Sequence, residues 1–237
     1  MITISGKAVP TELSELADPA NTALVVIDMQ NDFCSPGGAS DRGRTSLSMY
    51  PEVIRRTAGV IRAARARGVP VIFIQMLALP HGESDSPAWI GLRMRATPPG
   101  QAADAWTFTI TGTWRAQFVP DLQPANGETV VTKYRSSAFQ GTNLDLILRS
   151  NGVQSLVVTG CTTEGCVEST IRDACMHDCF TVLLTDCIGS NDPLLHEASM
   201  RVMTAYRTDA ATSSQLLAEW VPPLAAVSRE QAGFEPS

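Results

Sequence analysis

The chain has 237 residues, of which 44% are hydrophobic and 18% charged, a length that supports one large domain with a substantial core and is short for two. A formal charge of −6 and a pI near 5.1 leave no basic surface of the kind phosphate-backbone binding needs, so nucleic acid is not expected as a partner. No apolar run reaches the roughly 18 residues of a membrane span, and MITISGKAVPTELSELADPA at the start lacks a signal-like apolar core; no membrane partner and a cytoplasmic location are the expectation.

Short β-rich runs alternate with helical stretches. TALVVIDM (22–29) is continuously apolar, as a strand buried on both faces would be. After Pro51, the apolar residues Val53, Ile54, Ile61 and Ala64 fall at helical spacing until Gly68. PVIFIQM (70–76) and GETVVTK (127–133) read as two further strands. Thr142 is placed to cap a helix with Leu144, Ile147 and Leu148 inward, closed by Gly152. VQSLVVTG (153–160) is a strand, and Val167, Ile171, Ala174 and Cys175 then make a helical stripe. TVLLTD (181–186) is another strand, and Asp192-Pro193 opens a helix carried by Leu195, Ala198, Val202 and Tyr206.

This alternation predicts a parallel sheet with helices on both faces, within one domain over 1–237 whose core spans about 20–215. Residues 77–126 break the rhythm with many prolines and glycines and three of the four tryptophans, and read as an excursion from the sheet edge. The tail after Trp220 reads as irregular. Cysteines stand at 34, 161, 166, 175, 179 and 187 with no CxxC pair. They are expected as reduced thiols, all but Cys166 as small buried hydrophobes.

Asp28 ends one strand, Lys133 ends another, and Cys166 follows a third across a short turn. In open parallel sheets ligands bind outside the carboxyl ends of strands, so these three are expected to meet in one crevice. Taken singly, an aspartate there is a turn residue, a lysine is solvated and a cysteine is filler. Cys166 differs in sitting at a helix start, where the dipole and free N–H groups favour a thiolate and an oxyanion, which suits nucleophilic catalysis.

Across about 20–210, ALVVIDMQNDF, VVTKYRSSAFQGTNLDLIL and above all LVVTGCTTEGCVESTIRDA resemble the isochorismatase-like cysteine hydrolases. The last segment carries Gly160, Thr163, Cys166, Val167, Thr170, Asp173 and Ala174 in that family's pattern. The resemblance implies a three-layer α-β-α fold on a doubly wound, mostly parallel six-stranded sheet, and a catalytic triad at Asp28, Lys133 and Cys166. It also implies a cis peptide at Thr162–Thr163, which turns the Thr163 N–H with that of Cys166 towards a substrate oxygen. Catalysis then needs no histidine, and His81, His177 and His196 stand away from these motifs.

The implied activity is hydrolysis of a C–N bond in a small amide, carbamoyl or ureido compound through a thioester, with no cofactor. MLALPHGESD lacks the Asp-x-His…His spacing of the metal-bearing nicotinamidases, so neither a metal nor a nicotinamidase-like activity is expected. A thiol-bearing binding or redox protein on the same fold is the alternative. Phe33 is a candidate for stacking on substrate, with a core role as the competing reading. Trp89, with Trp106 and Trp114, lines either the pocket or a subunit contact. Arg93 and Arg95 are solvated, or one anchors a substrate carboxylate. The resemblance also implies a homodimer or homotetramer.

Overall fold

The computed structural model of the chain describes residues 1–43, 45–96 and 107–220. An exposed hairpin, β1 (Ile2–Ile4) and β2 (Lys7–Val9), precedes a short helix, α1 (Leu13–Leu16). The sheet begins with β3 (Thr22–Ile27), every residue of which is buried. Two single turns follow, α2 (Asn31–Cys34) and α3 (Ala39–Arg42), then the long α4 (Tyr50–Arg67) and β4 (Val71–Met76). Next come α5 (Pro87–Ala96), β5 (Thr129–Lys133), α6 (Leu144–Ser150) and β6 (Ser155–Cys161). The chain continues with α7 (Glu168–Met176), β7 (Phe180–Gly189), α8 (Pro193–Tyr206), β8 (Asp209–Ala211) and α9 (Ser213–Trp220).

The sheet runs β5-β4-β3-β6-β7-β8, and every pairing in it is parallel. This is the six-stranded, doubly wound α/β sheet expected. Side chains alternate along β3: Leu24 and Val26 join a core with α4 and α9, while Ala23, Val25 and Ile27 join a core with α6, α7 and α8. Each buried valine, leucine or isoleucine contributes about 1.5–3 kcal/mol, so two such layers hold the sheet from both sides. The chain order reverses between β3 and β6, where the loops diverge and leave a crevice at the strand C-termini.

Helix ends follow their local chemistry. Pro51 sits in the first turn of α4, and Gly68 ends it at φ 71°. Asp192 caps α8, its Oδ1 accepting from the N–H groups of Leu194 (2.9 Å) and Leu195 (3.1 Å). Thr142 acts one residue earlier than expected: Asn143 is the N-cap of α6, while Thr142 Oγ1 accepts the Leu144 N–H.

Two expectations need correction. Of the five cysteines taken as buried, Cys34, Cys161 and Cys187 are, but Cys175 and Cys179 are half-exposed. Cys175 turns its thiol to the Arg207 carbonyl (3.0 Å) at the rim of the α7 stripe. The 77–126 excursion contains a ten-residue helix, α5, which lacks a one-sided apolar stripe and so leaves no periodicity to read. Its Ala78–Ile110 bridge extends parallel pairing beyond the strands. Trp106 and the segment after Trp220 lie outside the described residues. Trp220 itself is fully buried, donating to the Ala17 carbonyl.

Gly160 shows how tightly β6 meets β3. At φ 121°, a Cβ there would fall 2.0 Å from the Ile27 carbonyl oxygen, next to Asp28. Gly160→Ala is expected to cost about 3 kcal/mol or more of unfolding free energy, against about 1 kcal/mol for Gly68→Ala, where no atom lies within 4 Å. Urea unfolding of the two variants checks this; equal losses would contradict the packing described.

Candidate active site

β3 delivers Asp28 into the crevice, its N–H bonded to the Ile74 carbonyl (3.0 Å) and its backbone at φ 51°. That left-handed turn sends the chain out of the sheet while the side chain stays inside. Lys133 closes β5, in register with Met76 two strands away from β3. Its Nζ reaches Asp28 Oδ2 at 2.7 Å, Cys166 Sγ at 3.1 Å and the Arg135 carbonyl at 3.1 Å. Asp28 and Lys133 are both fully buried, so the ion pair is out of water.

Cys166 comes from the other side of the switch point, in a wide helical turn (Thr163–Val167) that leads into α7. Its carbonyl accepts from Thr170 Oγ1 (2.7 Å), which in turn accepts the Ala138 N–H (3.0 Å), tying the turn to the segment after β5. The sequence expectation that Asp28, Lys133 and Cys166 converge describes this geometry.

The cis peptide lies between Cys161 and Thr162, one residue before the expected Thr162–Thr163. The Thr162 carbonyl already accepts from the N–H groups of Gly165 and Val167, so the Thr162–Thr163 peptide is the first unit of the helical turn. The N–H groups of Thr163 and Glu164, at the start of that turn, make no backbone hydrogen bond among the described residues.

Electrostatics sets the resting protonation. Burial raises the Asp28 pKa above its ordinary 3.8, with Lys133 and Cys166 opposing. Burial pulls Lys133 down, but Asp28 and then Cys166 outweigh it, and its pKa is raised. Burial, reinforced by the Asp28 charge and opposed by Lys133, pushes the Cys166 thiol up to about 12. The helix start favours a thiolate at Cys166, and burial works against it.

The loop after β3 is fastened to the excursion. Gln30 donates to the carbonyls of Met76 (2.9 Å) and Ala116 (2.7 Å) and accepts the Met76 N–H (2.9 Å). Buried Asp32 accepts from the N–H groups of Ala39 (2.9 Å) and Thr109 (2.5 Å). Phe33 is half-buried, packed on the α4-side core and edge-on to Phe108 at 5.5 Å. Trp89 is half-buried beneath the Arg135 guanidinium, 5.0 Å from its ring centroid, and Trp114 is 49% exposed. Arg95 is exposed. Arg93 is not solvated as expected: it is 4% exposed, 2.8 Å from Asp85, with its guanidinium 4.4 Å from the Phe108 ring centroid.

Sequence reasoning passed over His196 as distant from every motif. Its Nδ1 meets Thr163 Oγ1 at 2.8 Å, because α8 packs its first turns on the turn that carries Cys166. Burial lowers the His196 pKa against the pull of Glu164. One Glu164 oxygen is buried without a partner. The thirty-residue separation hides this contact; only the parallel β6–β7 pairing reveals it. Among the described residues, no group of three His, Cys, Asp or Glu side chains converges as a metal site would need.

Residues 22–215 match the isochorismatase domain. The chain is 36% identical over 201 residues to a ureidoacrylate amidohydrolase of Methylobacterium radiotolerans, covering 82% of this chain and 78% of that protein. An isochorismatase family protein from Desulfovibrio vulgaris superposes with a TM-score of 0.70 at 31% identity, over 83% of this chain and 96% of the other. N-carbamoylsarcosine amidase from Thermoplasma acidophilum superposes with a TM-score of 0.62 at 25% identity, over 81% and 96%.

Removing Lys133 would leave the buried Asp28 carboxylate uncompensated. Lys133→Ala is expected to cost about 3–5 kcal/mol at neutral pH. An acid whose folded pKa is raised binds more protons folded than unfolded, so its stability cost grows as pH rises through that window. The variant's deficit should therefore be larger at pH 8 than at pH 5, where Asp28 can take a proton. Denaturant unfolding at both values checks this; a pH-independent deficit would contradict the burial of the charge.

Proposed function

We propose, on the premise that this chain belongs to the isochorismatase family, that it is a cysteine amidohydrolase that cleaves a C–N bond in a small ureido compound. The observation that carries this is the contact set at buried Lys133 Nζ, which holds buried Asp28 Oδ2 at 2.7 Å and the half-buried Cys166 Sγ at 3.1 Å. The 36% identity to a protein named as a ureidoacrylate amidohydrolase supports the substrate class.

The proposed steps draw on that contact set. Asp28 takes the Cys166 thiol proton as sulfur attacks the substrate carbonyl carbon, and Lys133 at 3.1 Å holds the thiolate's charge. The tetrahedral oxygen carries the negative charge, and the N–H groups at the start of the Thr163–Val167 turn supply donors for it. The C–N bond breaks, the nitrogen leaves with the proton from Asp28, and a carbamoyl thioester remains on Cys166. Asp28 then takes a proton from water, whose oxygen attacks that thioester; the carbon–sulfur bond breaks and the thiol is restored. Lys133 stays charged throughout.

The redox alternative draws less from the geometry. Cys166 is flanked by a carboxylate and an ammonium, whereas the closest thiol pair, Cys34 and Cys161 at 3.7 Å, is buried away from it. For assembly we keep the homodimer or homotetramer; sedimentation of active enzyme as a monomer would contradict it.

Ammonia release from 3-ureidoacrylate-type compounds tests the reading. Cys166→Ala should lose roughly 10⁴-fold or more of kcat while remaining folded. The kcat/KM profile should fall on the acid side with a midpoint above 3.8, because protonated Asp28 cannot accept the thiol proton. Residual activity near wild type in Cys166→Ala, or an acid limb at or below 3.8, would contradict the mechanism.

A further inference from the structure

Side chains hold the turn that carries Cys166 at two points. At its far end the Thr170 hydroxyl donates to the Cys166 carbonyl (2.7 Å) and accepts the Ala138 N–H (3.0 Å). At its near end Thr163 is fully buried, and its Oγ1 meets Nδ1 of the half-buried His196 at 2.8 Å. The contacts of Asp28, Lys133 and Cys166 give this second hold no part in the chemistry.

His196 is fixed by its own helix before it reaches Thr163. Asp192 caps α8 through the Leu194 and Leu195 N–H groups, Pro193 opens the first turn, and the His196 N–H donates to the Asp192 carbonyl (2.9 Å). Ser199, three residues on and on the same face, stands 3.4 Å from the Thr163 carbonyl oxygen and donates to Glu168 Oε2 at 2.5 Å. So α8 is tied to the start of α7 as well as to the turn. Burial lowers the His196 pKa below its ordinary 6.5 against the pull of Glu164, so a neutral ring meets the hydroxyl at pH 7. The Thr163 N–H makes no backbone hydrogen bond among the described residues. A donor serves a developing oxyanion only when placed about 2.7–3.1 Å from it, and a misplacement of about 1 Å costs roughly 100-fold.

We propose that His196 is a positioning residue: through the Thr163 hydroxyl it holds the Thr163 N–H towards the oxygen of a carbonyl under attack by Cys166. It touches neither substrate nor sulfur, and it moves no proton. The proposal rests on the amidohydrolase reading for the use of Cys166 and the Thr163 N–H, and extends it to any acyl carbon, whatever the leaving group. Loss of His196 therefore slows steps in which negative charge gathers on a carbonyl oxygen. It spares those in which sulfur attacks a saturated carbon.

Two reagents at Cys166 tell these steps apart. 4-Nitrophenyl acetate acylates the thiol through a tetrahedral oxyanion, nitrophenolate leaving and the thiol proton passing to Asp28. Iodoacetamide alkylates it by displacing iodide, with no oxyanion. Mass spectrometry of the Cys166 peptide should show acylation slowed roughly 10- to 100-fold in His196→Ala, and alkylation changed by no more than about twofold. Asparagine sets a polar δ atom where Nδ1 stood, so His196→Asn should recover most of the loss. Thr163→Val keeps the shape without the hydroxyl; it should match His196→Ala, and the double variant should lose no more than either alone. Equal slowing of both reagents, unslowed acylation in His196→Ala, no recovery in His196→Asn, additive losses, or no acylation of Cys166 in the unsubstituted enzyme would overturn the proposal. Ammonia release from ureido compounds by the unsubstituted enzyme reports on the amidohydrolase reading separately. No release, with the His196 selectivity intact, would remove that reading and leave this one standing.

Discussion

One buried ion pair organises this molecule. Asp28 and Lys133 come from strands separated by β4, and their 2.7 Å contact lies wholly out of water. Two charges there are tolerable only as partners, since losing either leaves an uncompensated charge in a medium that cannot solvate it. The ends of β3 and β5 are therefore held at a fixed separation across β4, and Cys166 is set against the same ammonium. Burial of the same groups raises the Asp28 pKa and pushes the Cys166 thiol up to about 12.

The surrounding structure keeps that pair dry and aligned. Gln30 closes a ring of hydrogen bonds from the loop after β3 to Met76 and Ala116, and Asp32 pins the same loop to Ala39 and Thr109. Gly160 lets β6 run against β3 with no Cβ in the way. Cys161 donates to the Asp28 carbonyl at 3.1 Å, so the strand that leads to Cys166 also grips Asp28. The excursion between β4 and β5 supplies Trp89 and Ser84 against the Arg135 guanidinium, two residues beyond Lys133.

Much of this was legible in the sequence, for reasons that also explain what was not. Doubly buried strands such as LVVI and SLVV announce themselves as unbroken apolar runs, and a polar residue closing each one marks the strand C-terminus where ligands bind. Asp28 and Lys133 stand out on that signal alone. β8 is three residues long and carries no strand signature, and α5 lacks a stripe; neither has a period to detect. The Thr163–His196 contact and the pairing of Arg93 with Asp85 depend on how α8 and the excursion fold back, which no local pattern encodes.

The central claim is that Cys166, activated by Asp28 and held by Lys133, becomes covalently joined to the substrate's carbonyl carbon. Intact-protein and peptide mass spectrometry of enzyme acid-quenched during turnover of a ureido acid reads this directly. The account predicts a carbamoyl adduct confined to the peptide bearing Cys166, present in the unsubstituted enzyme and absent from Cys166→Ala. An adduct on another residue, or rapid turnover with none at any quench time, would contradict it.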